Sequence, residues 1–360
     1  MASDFAEIHD ELRAVARDLL GKGSPGAAAD WRLLAGSGWL GLEVPGALDG
    51  AGATFAEVAV VLEEMGRAAA CSPYLGAVVL GVGALNLAEP GPGRDELLRA
   101  AASGDVVVAT ALPGDAEYRA DAEVPFRIER SPHGPRLHGR ASFVPDATQA
   151  GLLLVPALDP GGAVVLVAAA PQTPGLEVAA QPVLDATRRL GRVTADGVGV
   201  PETAVWRFRG DPGAAVHRLL ARAAVAVACD SLGLSEAMLD ATVGYARVRH
   251  QFGRPIGSFQ AVKHACADML VQVSVARELV AEAAARLAGD DPQAWVAASM
   301  AKSYACAAAV DVVGKAMQLH GGMGYTWESG IHVYLKRAML NRSLFGSPAA
   351  HRRRLAARYR

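Results

Sequence analysis

Basic side chains crowd a helix break at residues 245–262, YARVRHQFGRPIGSFQAV. The run before the break has helical periodicity, and Gly253, Pro255 and Gly257 interrupt it within five positions. A stopped helix leaves carbonyls unpaired at its end, and the next helix starts with free N–H groups. Cations in a last turn complement the helix dipole, which gives Arg247, Arg249 and His250 a purely structural role. That account does not cover Phe252 and Gln260, which cluster with an arginine around the glycine-rich turn. A guanidinium takes phosphate through paired hydrogen bonds, an aromatic stacks on a planar ring, and an amide adds a hydrogen bond. The corner is therefore either a helix terminus or a site for a diphosphate joined to a planar ring.

A second element, QLHGGMGYTWESG at 318–330, follows a long alanine-rich helical pattern and holds three glycines within four positions. A helix C-cap needs one glycine. Three together suit a backbone that approaches something closely or adopts positive φ. The turn lacks the preceding strand and following helix of a dinucleotide fingerprint.

These elements need a frame, and the chain divides by pattern into three zones. Residues 1–105 are mostly helical, with FAEIHDELRAVARDLL and FAEVAVVLEEMGRA flanking a shaped loop, GWLGLEVPGALDGAGATF. Residues 106–208 carry the β-branched runs DVVVATALP, FRIERS, GLLLVPAL, AVVLVAAA, RVTADGVGV and TAVWRFRG, which predict an antiparallel β domain. Residues 209–360 return to long helical patterns at 213–251, 258–288, 292–320 and 331–358, the lengths of an antiparallel four-helix bundle. The fold class is α+β, and apolar stripes beyond the needs of one bundle predict a helix-mediated oligomer.

The 360 residues suffice for about two or three domains, and the net charge of -2 provides no field for nucleic acid. The tail HRRRLAARYR reads as a solvated helix end. Cys71, Cys229, Cys266 and Cys306 lack metal spacing and read as buried free thiols in a reducing cytoplasm. No signal peptide and no uninterrupted membrane-spanning run are expected. His264 and His320 read as packing residues, and no metal site is expected.

YARVRHQFGRPIGSFQAVKHACADM followed by QLHGGMGYTWE resembles the C-terminal bundle of the acyl-CoA dehydrogenase family, and GWLGLEVPGALDGAGATFAEVAVVLEEMGRA resembles its first domain. The resemblance covers nearly the whole chain. It implies two helical domains around a β domain and FAD at a dimer interface. It also implies a flavin that takes hydride from the acyl-CoA β-carbon while a glutamate removes the α-proton. By that resemblance Arg249 contacts the FAD pyrophosphate, with Phe252 packed beside it and Gln260 two turns on. Gln318, Gly321 and Gly322 lie along the adenosine–pyrophosphate half, reaching FAD bound mainly by the neighbouring subunit.

The rest of the family pattern is altered. The usual catalytic glutamate position, 27 residues beyond Gln318, holds Phe345, and the alternative position holds Ala223. Neither can take a proton. The turn that holds flavin and substrate corresponds to ALPGDAE (111–117), where Ala111 and Leu112 replace its polar pair. The segment that addresses the flavin ring corresponds to Phe143, Val144 and Pro145, and proline has no backbone N–H. The expectation is a subunit that keeps the adenine and pyrophosphate half-site and donates it to a homologous catalytic partner, as in heteromeric α2β2 acyl-CoA dehydrogenases of bacterial steroid side-chain degradation. Substrate contact is then mainly the partner's. Two alternatives stand beside it. One is a self-sufficient homo-oligomer using Asp230 or Glu236 as a displaced base on a helix surface. The other is a flavin-free structural protein on the same fold. Glu328 reads as structural.

Overall fold

The computed structural model describes residues 2–115 and 124–358. The chain opens with α1 (Ala2–Leu20), α2 (Trp31–Gly36) and α3 (Phe55–Arg67). A capping box starts α3: the Thr54 hydroxyl accepts from the Ala56 N–H, and Glu57 accepts from the Thr54 N–H at 2.8 Å. An eight-residue π-helix, Leu75–Val82, is buried throughout and runs into α4 (Gly83–Leu87), with α5 (Pro92–Ala102) after it. Such helices are rare and collect at functional sites. Here Asp146 Oδ2 accepts from the Gly76 N–H at 2.8 Å, and a Cβ at Gly76 would stand 2.7 Å from the Pro145 carbonyl oxygen.

The middle of the chain forms β1 (Val108–Thr110), β2 (Phe126–Glu129), β3 (Arg136–Pro145), β4 (Leu152–Leu158), β5 (Val164–Ala169), β6 (Leu176–Ala180), β7 (Leu190–Gly199) and β8 (Val205–Arg207). The sheet order is β6-β7-β3-β2-β4-β5-β8, with β1 paired to β4. All six strand-like runs of the sequence are strands. The sheet is antiparallel except that β1 and β2 both pair parallel to β4. Two strands, β3 and β6, were not expected. Register shifts at Leu137/Gly139 and Ala141/Val144 bend β3 and erase its alternation of buried and exposed residues.

The remainder is α6 (Pro212–Val248), a minimal hairpin of β9 (His250–Gln251) and β10 (Arg254–Pro255), then α7 (Gln260–Ala288), α8 (Ala294–Leu319), α9 (Ile331–Ser343) and α10 (Pro348–Ala357). Asp211 caps α6, accepting from the Gly213 and Ala214 N–H groups, with Pro212 at the first helical position. The single helix expected at 331–358 is two. Phe345 and Gly346 take φ values of 54° and 94° and turn the chain, and Ser347 with Pro348 starts α10. α8 packs on α6, α7, α9 and α10. It is long and apolar enough to cross a membrane by length and composition, and 67% of its most apolar window is buried inside the protein. One apolar core runs through the N-terminal helices and the bundle, and a second fills one face of the sheet. Cys229 and Cys306 are buried as expected, whereas Cys71 and Cys266 are half-buried.

Candidate functional site

The corner at residues 245–262 is held open. Arg249 leaves α6 in an extended conformation, its N–H donating to the Tyr245 carbonyl at 2.9 Å and its carbonyl accepting from Ile256 at 2.8 Å. β9 and β10 are joined by Phe252 and Gly253, both at positive φ (54° and 76°), as a two-residue primed turn requires. Glycine and asparagine adopt that conformation readily, while a phenylalanine is strained in it. Phe252 is nevertheless there and is 90% exposed. Its ring meets Phe259 edge-on at 6.1 Å, and Arg254 lies over the same Phe259 ring at 4.1 Å. Arg247, Arg249 and Gln260 are exposed, and among the described residues neither arginine has an ion pair. His264, expected as a packing residue, is also exposed.

The glycine turn meets this corner. Tyr245, one turn before Arg249, stacks on His320 with ring centroids 4.5 Å apart and planes at 22°. The three glycines have separate causes. Gly321 has φ of 60°, and a Cβ at Gly324 would stand 2.3 Å from the Met317 carbonyl oxygen. Gly322 has neither reason, and apart from its own stretch of chain no heavy atom lies within 4 Å of where its Cβ would be. Gln318 and Glu328 are exposed beside it. Arg249, Phe252, Gln260, Gln318, Gly321 and Gly322 thus line two segments joined by one aromatic stack, each presented outward.

The opposite half is closed. Ala223 is 0% and Phe345 1% exposed. The three segments where a base, a substrate turn and ring contacts were sought are bonded to one another. Gly114 donates to the Ser142 carbonyl at 3.1 Å, and Phe345 donates to the Gly114 carbonyl at 2.7 Å. The Phe143 N–H is taken by Gln181 Oε1 at 2.5 Å, and Pro145 offers none. Of ALPGDAE, Ala116 and Glu117 lie outside the described residues. His351 Nε2 donates to the Phe345 carbonyl at 2.9 Å, with its Nδ1 3.2 Å from Ser299 Oγ. Lys302, wholly buried, donates to the carbonyls of Asn341, Arg342 and Gly346 at 2.9, 3.2 and 2.9 Å.

The sequence reading missed Lys302 and His351. The visible signal was a lysine in an otherwise apolar helix, ASMAKSYACAAAV, since lysine is almost never fully buried without partners. Burial pushes His351 down to about 4, helped by Lys302 and Arg354 and opposed by its hydrogen bond to Phe345. A depressed folded value contributes stability that is present above about pH 6.5 and lost as pH falls toward 4. Gln at 351 keeps a donor but does not titrate. The stability gap between the wild type and His351→Gln should therefore shrink by about 3 kcal/mol between pH 7 and pH 4. Guanidinium titrations at both pH values check this, and a constant gap would refute it.

The C-terminal domain of acyl-CoA dehydrogenase matches residues 213–359, and its N-terminal domain matches residues 1–105. The acyl-CoA dehydrogenase IpdE2 of Mycobacterium tuberculosis is 35% identical over 329 residues, covering 90% of this chain and 85% of that protein. The chain belongs to the acyl-CoA dehydrogenase family. A chain of the ChsE4-ChsE5 complex from Mycobacterium tuberculosis superposes with a TM-score of 0.82 at 29% identity, covering 99% of this chain and 96% of that one. A variant of the Tcur3481-Tcur3483 steroid ACAD gives 0.84 at 29% identity, covering 98% and 97%.

Acyl-CoA dehydrogenases are oxidoreductases acting on acyl-CoA. Against FAD, the group the family implies, this chain fits on one side. Among the described residues Arg249 has no ion pair and Gly322 offers an open stretch of backbone, whereas the Phe143 N–H is given to Gln181, Pro145 has none and Phe345 is buried. Both carboxylates considered as displaced bases are paired with arginines. Asp230, expected on a helix surface, is 0% exposed. Arg337 donates to it through Nε at 2.9 Å and through Nη2, and Arg188 and Asn341 lie at 3.0 and 2.6 Å. Burial alone would raise its carboxyl, but the two arginines outweigh that and hold it at about 2. Glu236 is engaged by Arg277 at 2.8 Å.

Proposed function

We propose that this chain is the non-catalytic subunit of a heteromeric FAD-dependent acyl-CoA dehydrogenase, and that it lends its corner to a flavin held by a homologous catalytic partner. The observation that carries this is the contrast within one chain, between an outward corner with a cation, amides and glycine backbone and, where the base and ring contacts were expected, buried segments bonded to one another. Arg249 neutralises the pyrophosphate, Gln260 and Gln318 add amide hydrogen bonds, and Gly321 with Gly322 lets the backbone approach. Phe252 covers the dinucleotide from the side. When bound in the partner, the flavin supplies the hydride acceptor for acyl-CoA desaturation. A self-dimer would instead present Arg249 to a second copy of the closed pocket. The likeness to chains of the ChsE4-ChsE5 complex and of the Tcur3481-Tcur3483 steroid ACAD supports a paired assembly and a steroid-derived acyl group.

The chain purified alone is expected to be colourless. Co-expressed with a homologous acyl-CoA dehydrogenase of its own genome, it should yield a yellow complex that reduces dye with acyl-CoA. Flavin absorbance and acyl-CoA-dependent dye reduction from the chain alone would refute the proposal.

A further inference from the structure

We infer that Tyr245 and His320 are the positioning pair of the half-site, an inference that rests on the function proposed above. The corner belongs to the end of α6 and the glycine turn to the end of α8. Among the described residues no hydrogen bond or ion pair joins 245–259 to 318–327, whereas the two rings stack at 4.5 Å. Each ring is one link from a residue of the half-site. The Tyr245 carbonyl accepts the Arg249 N–H at 2.9 Å, so the backbone of Arg249 hangs from the tyrosine. His320 directly precedes Gly321 and ends α8, its N–H donating to the Ala316 carbonyl at 3.1 Å.

The imidazole is itself held. Nδ1 lies 2.7 Å from the same Ala316 carbonyl oxygen. A carbonyl only accepts, so Nδ1 carries the proton and the ring is fixed against the helix end. α6 and α8 pack on each other through the core, with Ala246 and Met317 buried near their ends, while around the stack Val248, Phe252, Met323, Tyr325 and Trp327 are exposed. Bidentate recognition of a phosphate tolerates about 0.5 Å of misplacement. Beyond that packing, the stack joins the exposed ends and holds Arg249 and the Gly321–Gly322 backbone in register on one diphosphate.

The test uses the complex with the co-expressed homologue, stripped of flavin and titrated with FAD by flavin fluorescence. Tyr245→Leu and His320→Leu should each weaken FAD binding by about two- to tenfold, the worth of one aromatic pair. The double leucine variant should be no weaker than either single one, because both remove the same contact. The double variant Tyr245→Phe with His320→Phe keeps two stacked rings, though without the Nδ1 bond, and should bind FAD more tightly than the leucine variants. Arg249→Ala, run alongside, should weaken FAD by about ten- to a hundredfold, as loss of a charge-assisted hydrogen bond does. If Arg249→Ala weakens binding and the leucine variants do not, the positioning role is wrong and the half-site stands. Losses in the phenylalanine pair equal to those in the leucine variants would also overturn the role. No effect of Arg249→Ala would remove the half-site itself.

Discussion

Replacing Asp230 with alanine is expected to remove about 3–5 kcal/mol of stability, the usual cost of breaking a buried ion pair from one side. Arg337 and Arg188 would then be buried cations without a counter-charge, and Asn341 would lose its acceptor. The damage would reach beyond the bundle. Arg337 also donates to the Ala70 carbonyl at 2.6 Å and to Thr187 Oγ1 at 3.1 Å, so this one guanidinium ties the N-terminal helices, the β6–β7 connection and α9 to α6. A drop in melting temperature on the order of 10 °C should accompany the loss. Differential scanning calorimetry of the purified variant measures it. The outcome also separates two roles for the residue. A variant that melts like the wild type but abolishes dehydrogenation in the complex would make Asp230 the base after all.

Writing the missing acid back at its expected position should fail. Phe345→Glu is expected to give no acyl-CoA-dependent dye reduction from the chain alone and to cost about 3–5 kcal/mol, the range for deleting a buried phenyl group. The carboxyl would enter a site with 1% exposure, on a backbone whose N–H is given to Gly114 and whose carbonyl is taken by His351. It would stay buried, and Pro145 would still have no N–H to offer. Dye reduction assays and a denaturant titration check the two halves of the expectation. Turnover by the purified Phe345→Glu chain would show that the pocket is open and the missing base its only defect.

The legible parts of this molecule were local. Three bundle helices lie within three residues of their expected ends, because alanine-rich periodicity and the Asp211–Pro212 and Gly–Pro signals sit beside the boundaries they set. The corner was legible for the same reason, since Arg249, Phe252 and Gln260 fall within twelve positions. The break at 344–347 was written in Gly346, Ser347 and Pro348 but was overridden by the helical pattern on both sides. Asp230 was misread because its helix is apolar almost all round, and its partner Arg337 is 107 residues away. The closed pocket was legible only as missing chemistry. That the gap is filled depends on contacts such as Phe345 to Gly114, between segments more than two hundred positions apart, which no periodicity reports.

The bonds around Phe345 run through main-chain atoms: its N–H to Gly114, its carbonyl to His351, and the Gly346 carbonyl to Lys302. Whatever side chain drifts into position 345 inherits the same fastening. A single substitution at 345 therefore leaves these three bonds in place, and loosening the loop takes changes at its partners Gly114, Lys302 and His351 as well.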